Sequence, residues 1–165
     1  MLYIKDPEHK ENIASILQGS FDWQTIERTS PNFGFTDTAF WFKFIINNTG
    51  IENEKIYIEL PIPFLDNVQF YQTQNRNTLT QYFAGDMYPF SQRPVLHQNF
   101  VFPFELIPGK NEMYMQISSA GTVEAPLIIW PPSEHAKASA DDHLVQGIWA
   151  GIIGIMVVYN LLLFF

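Results

Sequence analysis

Residues 39–46, AFWFKFII, alternate between two kinds of side chain, and this alternation decides the fold. Successive side chains of a β-strand point to opposite faces of the sheet. The phenylalanines at every second position would therefore face one side, whereas Trp41 and Lys43 would face the other. The pattern predicts a strand with an apolar face in a core and a mixed face outside it.

The same alternation recurs along the chain between turn signals spaced at intervals of roughly eight to twelve residues, which is typical of a β-sandwich. The 11 prolines are scattered at the margins of these runs, which argues against helices and long central strands. We therefore predict an all-β domain over residues 1–130. One short helix is predicted near residues 7–17, with Asp6 as its N-cap and Gly19 as its stop.

The last stretch, residues 144–165 (LVQGIWAGIIGIMVVYNLLLFF), contains no charged side chain. At about 1.5 Å per residue, a helix of this length reaches roughly 30 Å, the thickness of a bilayer's hydrocarbon core. It predicts one C-terminal transmembrane helix, and the alternative is a buried core helix of a soluble protein. The small, polar residues 131–143 predict a juxtamembrane linker.

Composition excludes several classes of function. The chain has 9 Lys and Arg residues against 17 Asp and Glu residues, a net charge of −8, and no basic run, so nucleic acid is not a predicted partner. It has no cysteine, which excludes disulfides, thiolate metal sites and cysteine nucleophiles. No triad, zincin or phosphate-loop motif occurs, so we predict no enzyme. No cofactor is predicted, although Asp37, Asp66 and Asn67 could hold a structural calcium ion through oxygen ligands.

The mixed face carries the candidate binding chemistry. Aromatic rings can cover the apolar faces of a sugar, while planar polar groups satisfy its hydroxyls in a fixed geometry. The alternative is the ordinary outer face of a sandwich, where tyrosine and tryptophan are favoured for packing alone. The candidate ligand-binding residues on this face are Trp41, Lys43, Tyr71, Arg93, His97 and Tyr114. Since they are predicted off the core face, replacing Trp41 by alanine should leave the fold nearly intact.

Three stretches together resemble a known family: NFGFTDTAFWFKF at residues 32–44, RPVLHQNFVFPF at residues 93–104 and GIIGIMVVYNLLLF at residues 151–164. In this order they resemble the type 2 extracellular sensor domain of bacterial seven-transmembrane receptors with diverse intracellular signalling modules, followed by the start of the first membrane helix. The resemblance covers nearly all 165 residues.

The resemblance implies a jelly-roll β-sandwich akin to carbohydrate-binding modules. It places residues 1–143 in the periplasm and residues 144–165 in the bacterial inner membrane, and any catalytic output would lie beyond this chain. It implies a role in signal transduction, in which a small polar ligand, a carbohydrate by the family's inferred role, changes the conformation passed to the membrane helices. The residues at matching motif positions, to which the resemblance assigns ligand binding, are Trp41, Lys43, Arg93 and His97.

Two rival functions remain open. The first is a protein-interaction or oligomerisation module, including a homodimer, in which the mixed face or an exposed edge strand pairs with another protein. The second is a jelly-roll hydrolase, which would require two carboxylates that face one cleft.

Overall fold

The computed structural model of the chain describes residues 1–27 and 31–164, so Phe165, the last residue of the predicted membrane helix, lies outside the described residues. The chain divides into two compact units, the first comprising Met1–Trp130 and the second beginning at Pro131. The first unit is a mostly β domain of antiparallel sheets, and the second is one long apolar helix.

The elements follow one another in the order β1 (Leu2–Asp6), α1 (Ile13–Gln18), β2 (Gln24–Thr25), β3 (Asn32–Phe35), β4 (Ala39–Asn48), β5 (Glu54–Leu60), β6 (Asn67–Gln74), β7 (Asn77–Ala84), a 3₁₀ turn (Phe90–Gln92), β8 (Phe100–Leu106), β9 (Gly109–Ser118), β10 (Thr122–Glu124), β11 (Ile128–Trp130) and α2 (Pro132–Phe164). A six-stranded sheet has the order β2-β1-β4-β9-β6-β7, a three-stranded sheet has the order β11-β5-β8, and β10 pairs with β3. Each of these pairings is antiparallel.

The main core lies between the six-stranded and three-stranded sheets. Phe42 of β4 and Phe70 of β6 both pair with Met115 of β9, and all three side chains are fully buried. The Phe70 ring stacks on Phe102 of the opposite sheet, with the ring centroids 5.2 Å apart. The apolar face predicted from the alternation in β4 is therefore confirmed as the core face for Phe42.

A second, smaller core lies on the outer face of the six-stranded sheet, where α1 packs. It comprises Ile4, Ile16, Trp41, Tyr71 and Tyr114. Helix α1 contributes Ile16, with Ile13 and Leu17 packed beside it, so its apolar side chains recur at helical spacing. The mixed face of the sheet is thus partly covered.

The helix predicted near residues 7–17 begins later, at Ile13, because residues 2–6 form strand β1 and the chain then turns. The Asp6 carboxylate accepts hydrogen bonds from the backbone N–H groups of Lys10 and Glu11, at 3.1 and 3.0 Å, so it stabilises this turn. Asn12 caps α1 instead, and its side-chain oxygen accepts from the Ser15 backbone N–H at 3.1 Å.

The segment predicted as a linker is helical, since α2 runs without a break from Pro132 to Phe164. Proline is favoured in the first turn of a helix, and the alanines, Glu134 and Lys137 that follow are good helix formers. Within the described residues, α2 is the one helix long and apolar enough to cross a membrane, by length and composition.

Candidate functional site

The six predicted ligand-binding residues fall into two groups. Trp41, Lys43, Tyr71 and Tyr114 lie on the outer face of the six-stranded sheet, on β4, β6 and β9. Arg93 and His97 lie in the irregular segment between the 3₁₀ turn and β8, which belongs to the three-stranded sheet. The expectation that these residues share one face is therefore wrong, because the strands that carry or follow them are divided between two sheets.

Trp41 and Tyr71 form the second core beneath α1. Their side chains are 0% and 4% exposed, and their rings stack with centroids 6.0 Å apart. The Tyr71 hydroxyl donates a hydrogen bond to Gln69 Oε1 at 2.6 Å. Burial, and secondarily the nearby Tyr88, raises the pKa of Tyr71 to about 12. Both residues therefore pack between the outer face of the six-stranded sheet and α1.

Lys43 and Tyr114 border a pocket of about 510 Å³ beside α1, which we call the basic pocket. Its volume is within the range typical of small-molecule sites. Its walls come from α1 and the loop after it, from β4 and β9, and from the turn between β6 and β7. The lining residues are Ile16, Leu17, Gly19, Trp23, Lys43, Gln74, Asn75, Arg76, Lys110, Glu112 and Tyr114.

Two aromatic rings and the Lys43 ammonium group form one side of the basic pocket. Lys43 Nζ lies 5.2 Å from the centre of the Tyr114 ring and 5.9 Å from that of Trp23, within the range of cation–π attraction. The two rings are tilted by 60° with their centroids 6.3 Å apart. Since Lys43 extends over these rings, its charge is held near the pocket.

Lys110 and Glu112 form an ion pair at the rim, with Lys110 Nζ 2.7 Å from Glu112 Oε1. The hydrogen bond from Lys110 lowers the pKa of Glu112, the charges of Lys43 and Arg76 act in the same direction, and partial burial opposes them. Glu112 therefore stays ionised at neutral pH, and Lys110 already neutralises much of its charge.

Arg76 reaches the basic pocket because of the turn that carries it. Asn75 and Arg76 join β6 to β7 with φ angles of 49° and 64°. A two-residue hairpin loop with positive φ at both positions matches the twist of the flanking strands. Asparagine tolerates this conformation, whereas arginine is uncommon there. Arg76, Trp23 and Glu112 line this pocket but are not among the candidate site residues predicted from the sequence.

Arg93 organises the segment that leads into β8. Its Nη1 donates hydrogen bonds to the backbone carbonyls of His97 and Gln98, at 3.0 and 2.7 Å. Its guanidinium group also lies over the rings of Phe90 and Phe100, 4.8 and 4.4 Å from their centres. These contacts give Arg93 a positioning role in the loop.

His97 and Glu59 continue this network on the outer side of the three-stranded sheet. The His97 Nδ1 atom accepts a hydrogen bond from the Asn99 backbone N–H at 3.2 Å. The buried Glu59 carboxylate accepts one from Asn99 Nδ2 and one from Trp130 Nε1, both at 2.6 Å. Glu59 thus connects β5, the segment before β8 and the last residue of β11.

Of the residues considered for a structural calcium ion, Asp66 uses its carboxylate for contacts within the protein. Asp66 Oδ2 accepts from the Ser119 hydroxyl at 3.1 Å and from the Ala120 backbone N–H at 2.6 Å. Asn67 lies next to Asp66 at the start of β6, while the backbone carbonyl of Asp37 accepts from His9 Nε2 at 2.6 Å. These contacts show that Asp66 joins the loop after β9 to the start of β6.

A family model described as 7TMR-DISM extracellular 2 matches residues 1–131, which is the β domain up to the residue before α2. No curated protein matches the chain.

Proposed function

The chain belongs to the 7TMR-DISM extracellular 2 family, the extracellular sensor domains of seven-transmembrane receptors with diverse intracellular signalling modules, and from this premise we propose that it senses a small polar ligand in the basic pocket. The domain is by its family a sensor and not a catalyst. The ligand we propose is a carbohydrate or a similar polyhydroxylated molecule.

The observation that carries this proposal is the combination of aromatic and polar groups in one pocket. Trp23 and Tyr114 offer ring surface for the apolar face of a sugar, and Gln74, Asn75 and Arg76 add planar hydrogen-bonding groups to the lining of the same pocket. Of the six residues predicted from sequence, the proposal keeps Lys43 and Tyr114 as ligand contacts. It gives Trp41 and Tyr71 a supporting role, and Arg93 and His97 the positioning of a loop.

We further propose that the β domain is a jelly roll related to carbohydrate-binding modules. The crossovers that place β9 between β4 and β6 in a two-layered antiparallel structure favour this topology. In the proposed location, the β domain lies in the periplasm and α2 is the first membrane helix of the receptor in the inner membrane. The length and apolar composition of α2 support this location.

The proposed signal leaves the domain through β11. This strand ends at Trp130, two residues before α2 begins, and Glu59 holds the Trp130 indole against β5. A ligand can shift a two-state equilibrium only if it binds the two states with different affinity. Since α1, two strands and one hairpin turn meet at the basic pocket, a ligand that contacts all of them would favour one arrangement of these elements.

The test is a ligand screen on the full chain in nanodiscs, with thermal unfolding as the readout, because a ligand that binds only the native state raises the melting temperature. The probes are neutral and acidic monosaccharides and their dimers. We expect at least one of them to stabilise the chain and Trp23→Ala to abolish the shift. The control is Phe35→Ala, which removes an aromatic side chain that is 86% exposed and does not line the basic pocket.

A specific observation favours the rival function, a protein-interaction module. Strand β7 is at the edge of the six-stranded sheet, carries no charged residue and exposes Leu79 and Phe83, at 49% and 41%. Uncharged edge strands can pair with a strand of another protein or of a second copy. If no probe stabilises the chain and its melting temperature rises with protein concentration, the sensor proposal fails and homodimerisation through β7 replaces it.

A further inference from the structure

The basic pocket concentrates positive charge in an acidic chain. Among the residues that the structure describes, Lys43, Arg76 and Lys110 line it, although the net charge of the chain is −8. Glu112 is the one carboxylate that the described part of the chain contributes to the lining. The local excess of cations is therefore opposite in sign to the charge of the molecule.

A second cavity of the same domain provides a comparison. It has a volume of about 450 Å³ and is lined by Lys5 and Lys10 together with four acidic residues, Asp6, Glu8, Glu11 and Asp22. Lys10 is paired with Glu8 there. The two cavities are similar in size and opposite in charge, so the cation excess of the basic pocket is a local property.

Two of the three cations in the basic pocket are available to a ligand. Lys110 is paired with Glu112. Within the described part of the chain, neither Lys43 nor Arg76 forms a salt bridge with a carboxylate. Lys43 is partly buried over the rings of Trp23 and Tyr114, where its charge is less screened by water than on an open surface. An anionic group that contacts both Lys43 and Arg76 would therefore gain two charge-assisted contacts, against the repulsion of Glu112, whose carboxylate both cations attract.

We propose that the ligand of the basic pocket is an acidic sugar, whose carboxylate binds Lys43 and Arg76 while its ring lies against Trp23 and Tyr114. This inference rests on the proposed sensor function and names the ligand class for the same pocket. A planar guanidinium group can bind a carboxylate with two parallel hydrogen bonds, so Arg76 suits a carboxylate as the anionic group. The hexuronates are the simplest molecules that combine this group with a sugar ring.

The test compares matched pairs of acidic and neutral sugars by isothermal titration calorimetry, with the full chain in nanodiscs of zwitterionic lipid. The pairs are glucuronate with glucose and galacturonate with galactose, each as the monosaccharide and the dimer. We expect at least one acid to bind about tenfold or more tightly than its neutral partner, the effect of one charge-assisted hydrogen bond. We also expect its affinity to fall as NaCl is raised from about 50 to about 300 mM, because salt screens the charges.

The variants Lys43→Met and Arg76→Asn should each remove most of the preference for the acid. Methionine keeps the apolar contact with the rings, and asparagine accepts the positive φ of the hairpin turn. The control is Lys55→Met, which removes an exposed lysine from the three-stranded sheet. Near-ultraviolet circular dichroism shows whether each variant retains its packed aromatic residues.

The outcomes separate this inference from the sensor function. If a neutral sugar binds as tightly as its acid and Trp23→Ala abolishes the binding, the sensor function stands and the acidic-sugar inference is overturned. If acid binding is unchanged in both Lys43→Met and Arg76→Asn, the inference is likewise overturned, because the carboxylate is then held elsewhere. If no sugar of either kind binds, both proposals fail.

Discussion

At the scale of single residues, Trp41 was predicted to bind a ligand, but its side chain packs in the second core. It is fully buried between the six-stranded sheet and α1, and its Nε1 atom has no hydrogen-bond partner among the residues that the structure describes. A buried N–H group without a partner costs free energy relative to its hydrated state. The stacking of the indole on Tyr71 and the burial of its apolar surface offset this cost.

We therefore expect Trp41→Ala to lower the free energy of unfolding by about 3–5 kcal/mol, the usual cost of truncating a core aromatic side chain. This replaces the expectation from sequence that the same change would leave the fold nearly intact. Trp41→Phe should cost clearly less, because it keeps a ring beside Tyr71 and removes an N–H group that has no partner. Urea unfolding of the full chain in detergent, followed by near-ultraviolet circular dichroism, measures both values. Unchanged stability of Trp41→Ala would contradict the packing described for α1.

The contrast between Phe42 and Arg93 shows which residues the alternation can place. It is reliable inside a strand, and it correctly put Phe42 on the core face of β4. In irregular backbone, alternation does not indicate which way a side chain points, and Arg93 and His97 lie in such a segment before β8. Alternation also does not show which sheet a strand joins. The sequence pattern therefore cannot distinguish the outer face of the six-stranded sheet from that of the three-stranded sheet.

At the scale of elements, the turn between β7 and the 3₁₀ helix depends on the close approach of two backbone segments. Gly85 has a φ of 135°, and a Cβ atom there would lie 2.1 Å from the Asp66 carbonyl oxygen. The backbone N–H groups of Asp86 and Met87 donate to the carbonyls of Leu65 and Asp66, at 2.9 and 3.1 Å. Only glycine fits this position without moving one of the segments.

Gly85→Ala should consequently destabilise the chain by about 1–3 kcal/mol from the unfavourable backbone conformation alone, with the clash adding to this cost. Gly121→Ala is the matched control, because a Cβ atom there would meet only the Ser119 hydroxyl, at an ordinary 3.7 Å. Melting temperatures of the two variants and the parent chain give the comparison. Equal effects of the two substitutions would show that the approach of Gly85 to Asp66 is not required.

Helix α1 was predicted in the right region but with the wrong start and without its role. The apolar residues Ile13, Ile16 and Leu17 have helical spacing, and this pattern could have identified a helix with one face against the sheet. Asp6 is a good N-cap by residue type, but strand β1 uses residues 2–6, so its carboxylate caps the following turn instead. Asp6 belongs to a strand because residues 2–6 pair with β4, which is distant in sequence.

At the scale of the whole molecule, α2 is longer than the membrane that it would cross. Its 33 residues correspond to about 50 Å at a rise of about 1.5 Å per residue, against roughly 30 Å of hydrocarbon. The charged residues of α2 lie in its first part, up to Asp142, and none follows. The helix therefore divides into a polar beginning, which was predicted as a linker, and an apolar remainder. The two compositions can be read from the sequence, but composition alone does not show that one unbroken helix spans both parts.

An arginine in the apolar part should weaken membrane integration. We expect Ile155→Arg, near the centre of this part, to reduce the fraction of the chain that stays in the membrane pellet after extraction with alkaline carbonate, since a central arginine costs about 2.5–3.5 kcal/mol on insertion scales. Gln146→Arg is the control, because residue 146 lies near the start of the apolar part, from which an arginine side chain can reach the interface. Equal retention of both variants at the parent level would contradict the assignment of residue 155 to the hydrocarbon region.

The strict alternation of β9 also has a consequence for evolution and for engineering. Met113 and Met115 face the core, whereas Glu112 and Tyr114 face the basic pocket. Neighbouring positions of β9 are thus under different constraints: the core positions must preserve packing, whereas the pocket positions need not. If the basic pocket binds the ligand as proposed, recognition can diversify at Lys43, Arg76 and Glu112, which are only partly buried or exposed, while the core residues Met113 and Met115 stay constant. A library randomised at these three positions could therefore yield sensors with new specificities that retain the parent fold.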